Sequence, residues 1–201
     1  MNQIPDYAVA TNYAYLLLAQ LPVWRFETDV FYIASLLENC AVKPYSLVPG
    51  EDDGTHIFEK VSKYGFLARD KESGKAIIFF NDKLPMETVR FTIAHEIGHF
   101  VLGHSDTDGP GAEKEANCFA RNLLCPLPVA DAFHLKDAGD YAAFFRVSKT
   151  MAKITLSQRH SDRDLITTSY YKSLAKKINH ILFQDKTMSC IADEMGFGLA
   201  M

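Results

Sequence analysis

The sequence lacks most of what would mark it as secreted, membrane-spanning or nucleic-acid-binding. Its four cysteines, Cys40, Cys118, Cys125 and Cys190, are scattered without a C-x-x-C pair, which fits reduced core thiols in a cytoplasm better than a disulfide framework. No apolar run reaches the roughly 20 residues that a spanning helix needs. The opening "MNQIPDYAVATNYAYLLLAQLPVW" has no positive leader region and is broken by Gln20 and Pro22, so the expectation is a soluble, cytoplasmic chain with no export signal. A basic excess is missing as well. Lys and Arg number 21 against 25 Asp and Glu, a formal charge of -4, which gives no general pull toward phosphate backbones or anionic membranes and leaves only a local basic patch open. Nor is the composition that of a disordered or repetitive chain. With 48% hydrophobic and 23% charged residues over 201 positions, it suits one globular domain with a real core.

The apolar spacing is mostly that of helices. Helical patterns run over 5–21, over 28–42 from a Thr28 or Asp29 cap, and over 55–65 to a Gly65 stop. The period then changes. "GFLARDKESGKAIIFFND" has an apolar run on each side of a polar turn at 70–74 and predicts a β-hairpin, with 75–81 as its second and most strand-like segment. Helices are predicted again over 85–102, 112–124, 129–135, 140–145, 148–159 and 169–183. Pro126 and Pro128 close the second of these. The tail from Gln184 is weakly patterned and is expected to be peripheral. The fold class is therefore α+β: a mostly helical single domain over 1–201 with a small antiparallel sheet or hairpin beside the helix over 85–102. Within it we distinguish an N-terminal helical part (1–64), a core (65–160), and a C-terminal helix and tail (161–201).

That helix carries "RFTIAHEIGHFVLGHS". Positions i and i+4 share a helix face, so His95 and His99 can offer ring nitrogens to one ion, and the spacing suits zinc. Glu96 lies close enough to act as a base without being a ligand. Phe91, Ile93, Ala94, Ile97, Phe100, Val101 and Leu102 surround the trio with apolar side chains. Polar groups in such a setting cost stability unless they are paired or ligated, which argues against a chance match.

A catalytic zinc takes three protein ligands and leaves a fourth position open. His104 is one candidate for the third, although Leu102 and Ser105 stand where the three-histidine motif needs glycine and histidine. The better candidates lie in "GPGAEKEANCFARNLLCP", where a glycine-rich turn folds a second helix back on the first. Glu113 and Glu115 point about 160° apart, so both cannot face one ion. Glu113 shares a side with Ala116, which permits close approach, and with Asn117, one turn on and able to orient a ligating histidine. Glu113 is favoured on that geometry.

"RFTIAHEIGH" followed by "EKEANCFARNLLCP" resembles the ImmA/IrrE family of zinc metallopeptidases. The likeness extends more loosely from "KAIIFFND" to "FRVSKTMAKITLSQ", about the middle half of the chain. Carried over by position, it implies a zincin-like fold, zinc held by His95, His99 and Glu113, and a water activated by Glu96. It also implies a cytoplasmic endopeptidase that cleaves a helix-turn-helix transcriptional repressor, with genes of phage, mobile-element or stress-response type. Cys125 stands where the family commonly has methionine. The segments before Gly65 and after Phe183 are not covered.

For an oxyanion stabiliser, His134, Tyr141, Arg159 and His160 are downstream candidates, each with an ordinary structural role as the alternative. The strand 75–81 is either a core strand or an edge that pairs with an extended peptide. Two other functions remain in view. "VSKTMAKI" has the look of a recognition helix, with Lys149, Lys153 and Arg159 for phosphates, but Met151, Ile154 and Leu156 suggest a core-facing stripe. A metal-binding interaction module without catalysis is the other, and the intact Glu96 counts against it.

Overall fold

The computed structural model describes residues 4–22, 25–47, 55–70, 72–105 and 108–194. Helix α1 (Tyr7–Gln20) starts where the Asp6 carboxylate accepts a hydrogen bond from the Val9 N–H, and it buries Ala10, Ala14, Tyr15 and Leu18 along one face. Helix α2 (Val30–Leu36) is capped in the same way by Asp29, which takes the N–H groups of Phe31 and Tyr32. A single 3₁₀ turn (Tyr45–Leu47) and the short helix α3 (Thr55–Glu59) lie ahead of the hairpin.

The run read as one helix over 28–42 is divided. After α2, Asn39 takes a positive φ of 60° and the chain turns into strand β1 (Cys40–Pro44). Asn39 is among the few non-glycine residues that tolerate this conformation. The pattern missed β1 because a five-residue strand with only one β-branched residue, Val42, has too short a period to oppose the helical spacing before it. The helix expected over 55–65 is likewise cut to α3, because Gly65 opens a strand rather than stopping a helix.

Strands β2 (Gly65–Arg69) and β3 (Ala76–Phe80) form the predicted hairpin, antiparallel with Phe66 opposite Phe79. Gly74, with a φ of 70°, makes the turn. β1 pairs parallel with β3, so the order is β1-β3-β2 and the sheet is mixed rather than purely antiparallel. β3 lies in the centre, which rules out peptide pairing along 75–81. The edges of the sheet are β1 and β2. Ala76, Ile78 and Phe80 turn into the core. On the other face, Phe79 meets Phe58 and Phe66 at ring-centroid distances of 4.9 and 5.3 Å.

Helix α4 (Met86–Val101) crosses the buried face of the sheet, and α5 (Pro110–Leu124) packs against it. Helices α6 (Leu127–Ala132), α7 (Ala138–Phe145), α8 (Lys149–Leu165) and α9 (Thr168–Glu194) follow. Pro110 and Pro128 occupy first-turn positions, where their missing N–H has no intrahelical partner to lose. Part of the tail from Gln184 is the end of α9, and 195–201 lie outside the described residues. In α8 the buried residues are Met151, Ala152, Thr155 and Asp162, whereas Ile154 is half exposed. The stripe expected through Ile154 is therefore rotated. No helix among the described residues is long and apolar enough to cross a membrane.

Candidate metal centre

The two helices that carry the motifs are locked together by buried side chains on either side of the polar trio. Ile93, Ala94 and Ile97 of α4 and Ala116, Phe119, Ala120 and Leu123 of α5 are fully buried. On the far face of α4, the Arg90 guanidinium donates to the carbonyls of Thr28, Phe145 and Arg146, which ties two separate segments, the approach to α2 and the end of α7, to the helix. Burial holds the Arg90 pKa below the usual range, yet three carbonyl acceptors satisfy the charge. Beyond Val101, Gly103 takes a φ of 72°, the left-handed step that ends the helix and turns the chain toward α5.

Within this frame the structure brings His95, His99 and Glu113 together. The Nε2 atoms of the two histidines are 3.0 Å apart. Glu113 approaches with Oε2 3.3 Å from His95 Nε2 and Oε1 3.4 Å from His99 Nε2. Donors on a tetrahedral zinc with bonds of about 2.0–2.1 Å are separated by about 3.3 Å. The observed spacing fits a single small ion. Glu113 is in the first turn of α5, where the helix dipole favours negative charge. His95 is oriented by Asn117, whose Oδ1 accepts from Nδ1–H at 3.1 Å. Two other polar residues, His104 and Glu115, stay outside the ligand cluster and contact each other at 2.9 Å.

Both histidines are held neutral. Burial lowers the pKa of His95 despite the opposing pull of Glu113 and Asn117. Burial again, with His95, His104 and Arg69 adding to it, pushes His99 down to about 3. Neutral imidazole is the form that ligates a metal. Glu96, on the side of α4 that meets β2, is 8% exposed. Its pKa is raised to about 7 by burial and by the Glu113 charge, against the Leu67 N–H that hydrogen-bonds its carboxylate. A carboxylate tuned near neutrality is what proton transfer at pH 7 requires.

The trio and Glu96 open on a cavity of about 590 Å³, bordered by β2 and the first half of α4 through residues such as Tyr64, Phe66, Thr88 and Phe91. Arg69, at the end of β2, donates to the carbonyls of His99 and Phe100 and so fixes the edge strand to the C-terminal end of α4. None of His134, Tyr141, Arg159 and His160 lines this cavity. Tyr141 is buried edge-on against Phe145 and Arg159 pairs with Asp131, so neither is available as an oxyanion stabiliser. Tyr64 and Arg69 carry no motif spacing and are not legible in the sequence, and His104 and Glu115, weighed there as ligands, give no sign of pairing with each other; contact across the fold alone reveals these placements.

No curated protein matches the chain. The sequence profile of the IrrE N-terminal-like domain of peptidase family M78 matches residues 51–157. That span is more than half of the chain, takes in the hairpin, α4 and α5 together, and includes every residue of the trio and Glu96; the chain accordingly belongs to this peptidase family.

Proposed function

We propose that this chain is a zinc-dependent endopeptidase in which His95, His99 and Glu113 hold the metal and Glu96 moves the proton. The observation that carries the reading is the agreement between the 3.0, 3.3 and 3.4 Å donor separations and a tetrahedral ion, beside a buried carboxylate with a pKa of about 7. Zinc bound there would supply Lewis acidity to the scissile carbonyl. Glu96 takes a proton from the attacking water as the new C–O bond forms and delivers it to the amide nitrogen as the C–N bond breaks. The exposed edge of β2 beside the cavity suits an extended peptide, held by main-chain pairing with side chains alternating into and out of the cleft.

The substrate we propose is a helix-turn-helix transcriptional repressor, on the strength of the family likeness, with the reaction taking place in the cytoplasm. Free thiols at Cys40, Cys118 and Cys125 support that location. We also take 1–201 as one metallopeptidase domain, since α1, the hairpin, α4, α5 and α9 all contribute to one buried cluster.

The test incubates purified protein with a helix-turn-helix repressor encoded beside it and follows cleavage by mass spectrometry. Cutting that is lost on chelation, restored by zinc, and absent in both Glu96→Gln and His99→Ala supports the assignment. Equal cutting by the parent and both variants overturns it. If Glu96→Gln still binds the repressor without cutting it, the same residue separates peptidase from interaction module.

A further inference from the structure

His104 and Glu115, the two residues that the trio leaves out, form a hydrogen-bonded chain behind His99. His104 Nδ1 is 3.0 Å from His99 Nδ1, and His104 Nε2 is 2.9 Å from Glu115 Oε2. The second oxygen of Glu115 accepts the Asp6 backbone N–H at 2.7 Å, at the cap of α1. Both side chains are largely shielded, at 9% and 12% exposure. The His104 imidazole is brought under His99 by the turn at Gly103 and by its own backbone N–H, which donates to the His99 carbonyl at 3.0 Å.

Hydrogen-bond polarity then permits one arrangement of a neutral pair. An ionised carboxylate only accepts, so His104 Nε2 carries the hydrogen that faces Glu115. His104 Nδ1 is then a bare acceptor. Only His99 can supply the hydrogen between the two Nδ1 atoms, which leaves His99 Nε2 with a free lone pair directed at His95 and Glu113. Asn117 does the same for His95 from the other helix.

We propose that His104 and Glu115 are positioning residues that lock His99 in the Nδ1–H tautomer and thereby set metal affinity at this site. The proposal rests on the zinc reading above. It gives the site a carboxylate–histidine–histidine arm anchored on α1, a segment outside the matched peptidase span. Ligating histidines generally depend on such a partner at the second ring nitrogen.

The experiment measures the zinc dissociation constant by chelator competition for the parent, His104→Ala, His104→Asn and the double variant His104→Ala with Glu115→Ala. His104→Ala is expected to weaken zinc binding by about 10- to 100-fold. In His104→Asn the introduced amide oxygen would replace the lost acceptor, so this variant is expected to recover most of the affinity. The double variant is expected to lose no more than His104→Ala, because the two residues act through one chain. Long-range proton–nitrogen correlation spectra of the metal-free parent supply a readout that a purely structural role would not set: hydrogen on Nδ1 of His99 and on Nε2 of His104. Hydrogen on Nε2 of His99 in that spectrum overturns the proposal, even if His104→Ala does not fold. Affinity in His104→Ala within twofold of the parent overturns it too, as does a His104→Asn variant as weak as His104→Ala. A parent that binds no zinc refutes the metal reading itself, and the proposal with it.

Discussion

Gly98, in the middle of α4, lies so close to Ala116 of α5 that a Cβ added to it would stand 3.2 Å from the Ala116 Cα and 3.3 Å from its carbonyl oxygen. The Ala116 atoms are backbone and cannot rotate away, and the fully buried Phe119 ring stands 3.1 Å from the same point. The absence of a side chain at Gly98 is therefore what lets α5 bring Glu113 within reach of His95 and His99. Gly98→Val is expected to destabilise the fold by about 1–3 kcal/mol through overpacking and to weaken zinc binding together with it. Gly98→Ala gains about 1 kcal/mol of helix propensity, so it should keep most of the stability while still shifting α5 and loosening the metal. Thermal unfolding and chelator competition on the same samples check both variants. Unchanged zinc affinity in Gly98→Val would refute the link between helix approach and the site.

Asn117 holds His95 through Nδ1 at 3.1 Å. Asn117→Ala removes that acceptor without touching a donor of the trio. Zinc affinity is expected to fall by about tenfold or more, with thermal stability of the metal-free protein nearly unchanged. Asn117→Asp, which keeps an acceptor in place, should lose much less. Equal binding by Asn117→Ala and the parent would show that packing alone sets the His95 ring.

Lys177 of α9 reaches the end of α1, where its ammonium donates to the carbonyls of Leu18 and Ala19 at 2.9 and 3.2 Å and to that of Leu21. Burial lowers its pKa, but the helix C-terminus compensates with three acceptors and the negative end of its dipole. Lys177→Met retains the apolar stem and strands the carbonyls. The expected cost is about 1–3 kcal/mol, read as a lower unfolding midpoint with zinc affinity unaffected. A change below about 0.5 kcal/mol would mean that water satisfies those carbonyls as well as the ammonium does.

Asp131 of α6 gathers Arg159, Arg163 and the Tyr171 hydroxyl, with Arg163 at 2.8 Å and Tyr171 at 2.9 Å. Burial alone would raise its pKa, but Arg159, Tyr171 and Arg163 outweigh that and hold it below the usual carboxylate range. A lowered folded-state pKa gives stability that is fully present above the unfolded value of about 3.9 and is lost as pH falls through the folded one. Because Arg163 is half exposed, the contribution is screened to about 1 kcal/mol. Asp131→Asn should therefore unfold at a lower temperature than the parent at pH 7, with the gap closing below about pH 4. A gap that stays constant into acid would assign the loss to packing rather than charge.

Much of this molecule is readable one segment at a time. The hairpin, the helix over 85–102 and the helix behind Pro110 follow from period, turn residues and caps, which act within a few positions of each other. Glu113 is distinguishable from Glu115 because the angle between neighbours on one helix is set by helical geometry. What cannot be read in this way depends on contacts between distant segments. Strand β1 exists because β3 offers it a partner, so its five residues need no strong pattern of their own. The same pairing makes β3 central and leaves β1 and β2 as the edges. Which face of α8 is buried depends on its packing against α7, α1 and α6, and Ile154 is left half exposed.

By itself, the sequence determined which side chains could meet at one site: two histidines and a glutamate at helical spacing, and an acid followed by Asn117 one turn later. Local geometry alone enforces those relations. Only the tertiary structure decided how His104 and Glu115 are used. Both stand in the sequence as possible ligands, yet the turn at Gly103 places the His104 ring against His99, and α1 secures Glu115 through the Asp6 N–H. Their roles depend on the meeting of three segments that no sequence period connects, and hydrogen-bond polarity among buried groups has a meaning only after the fold has brought those groups together.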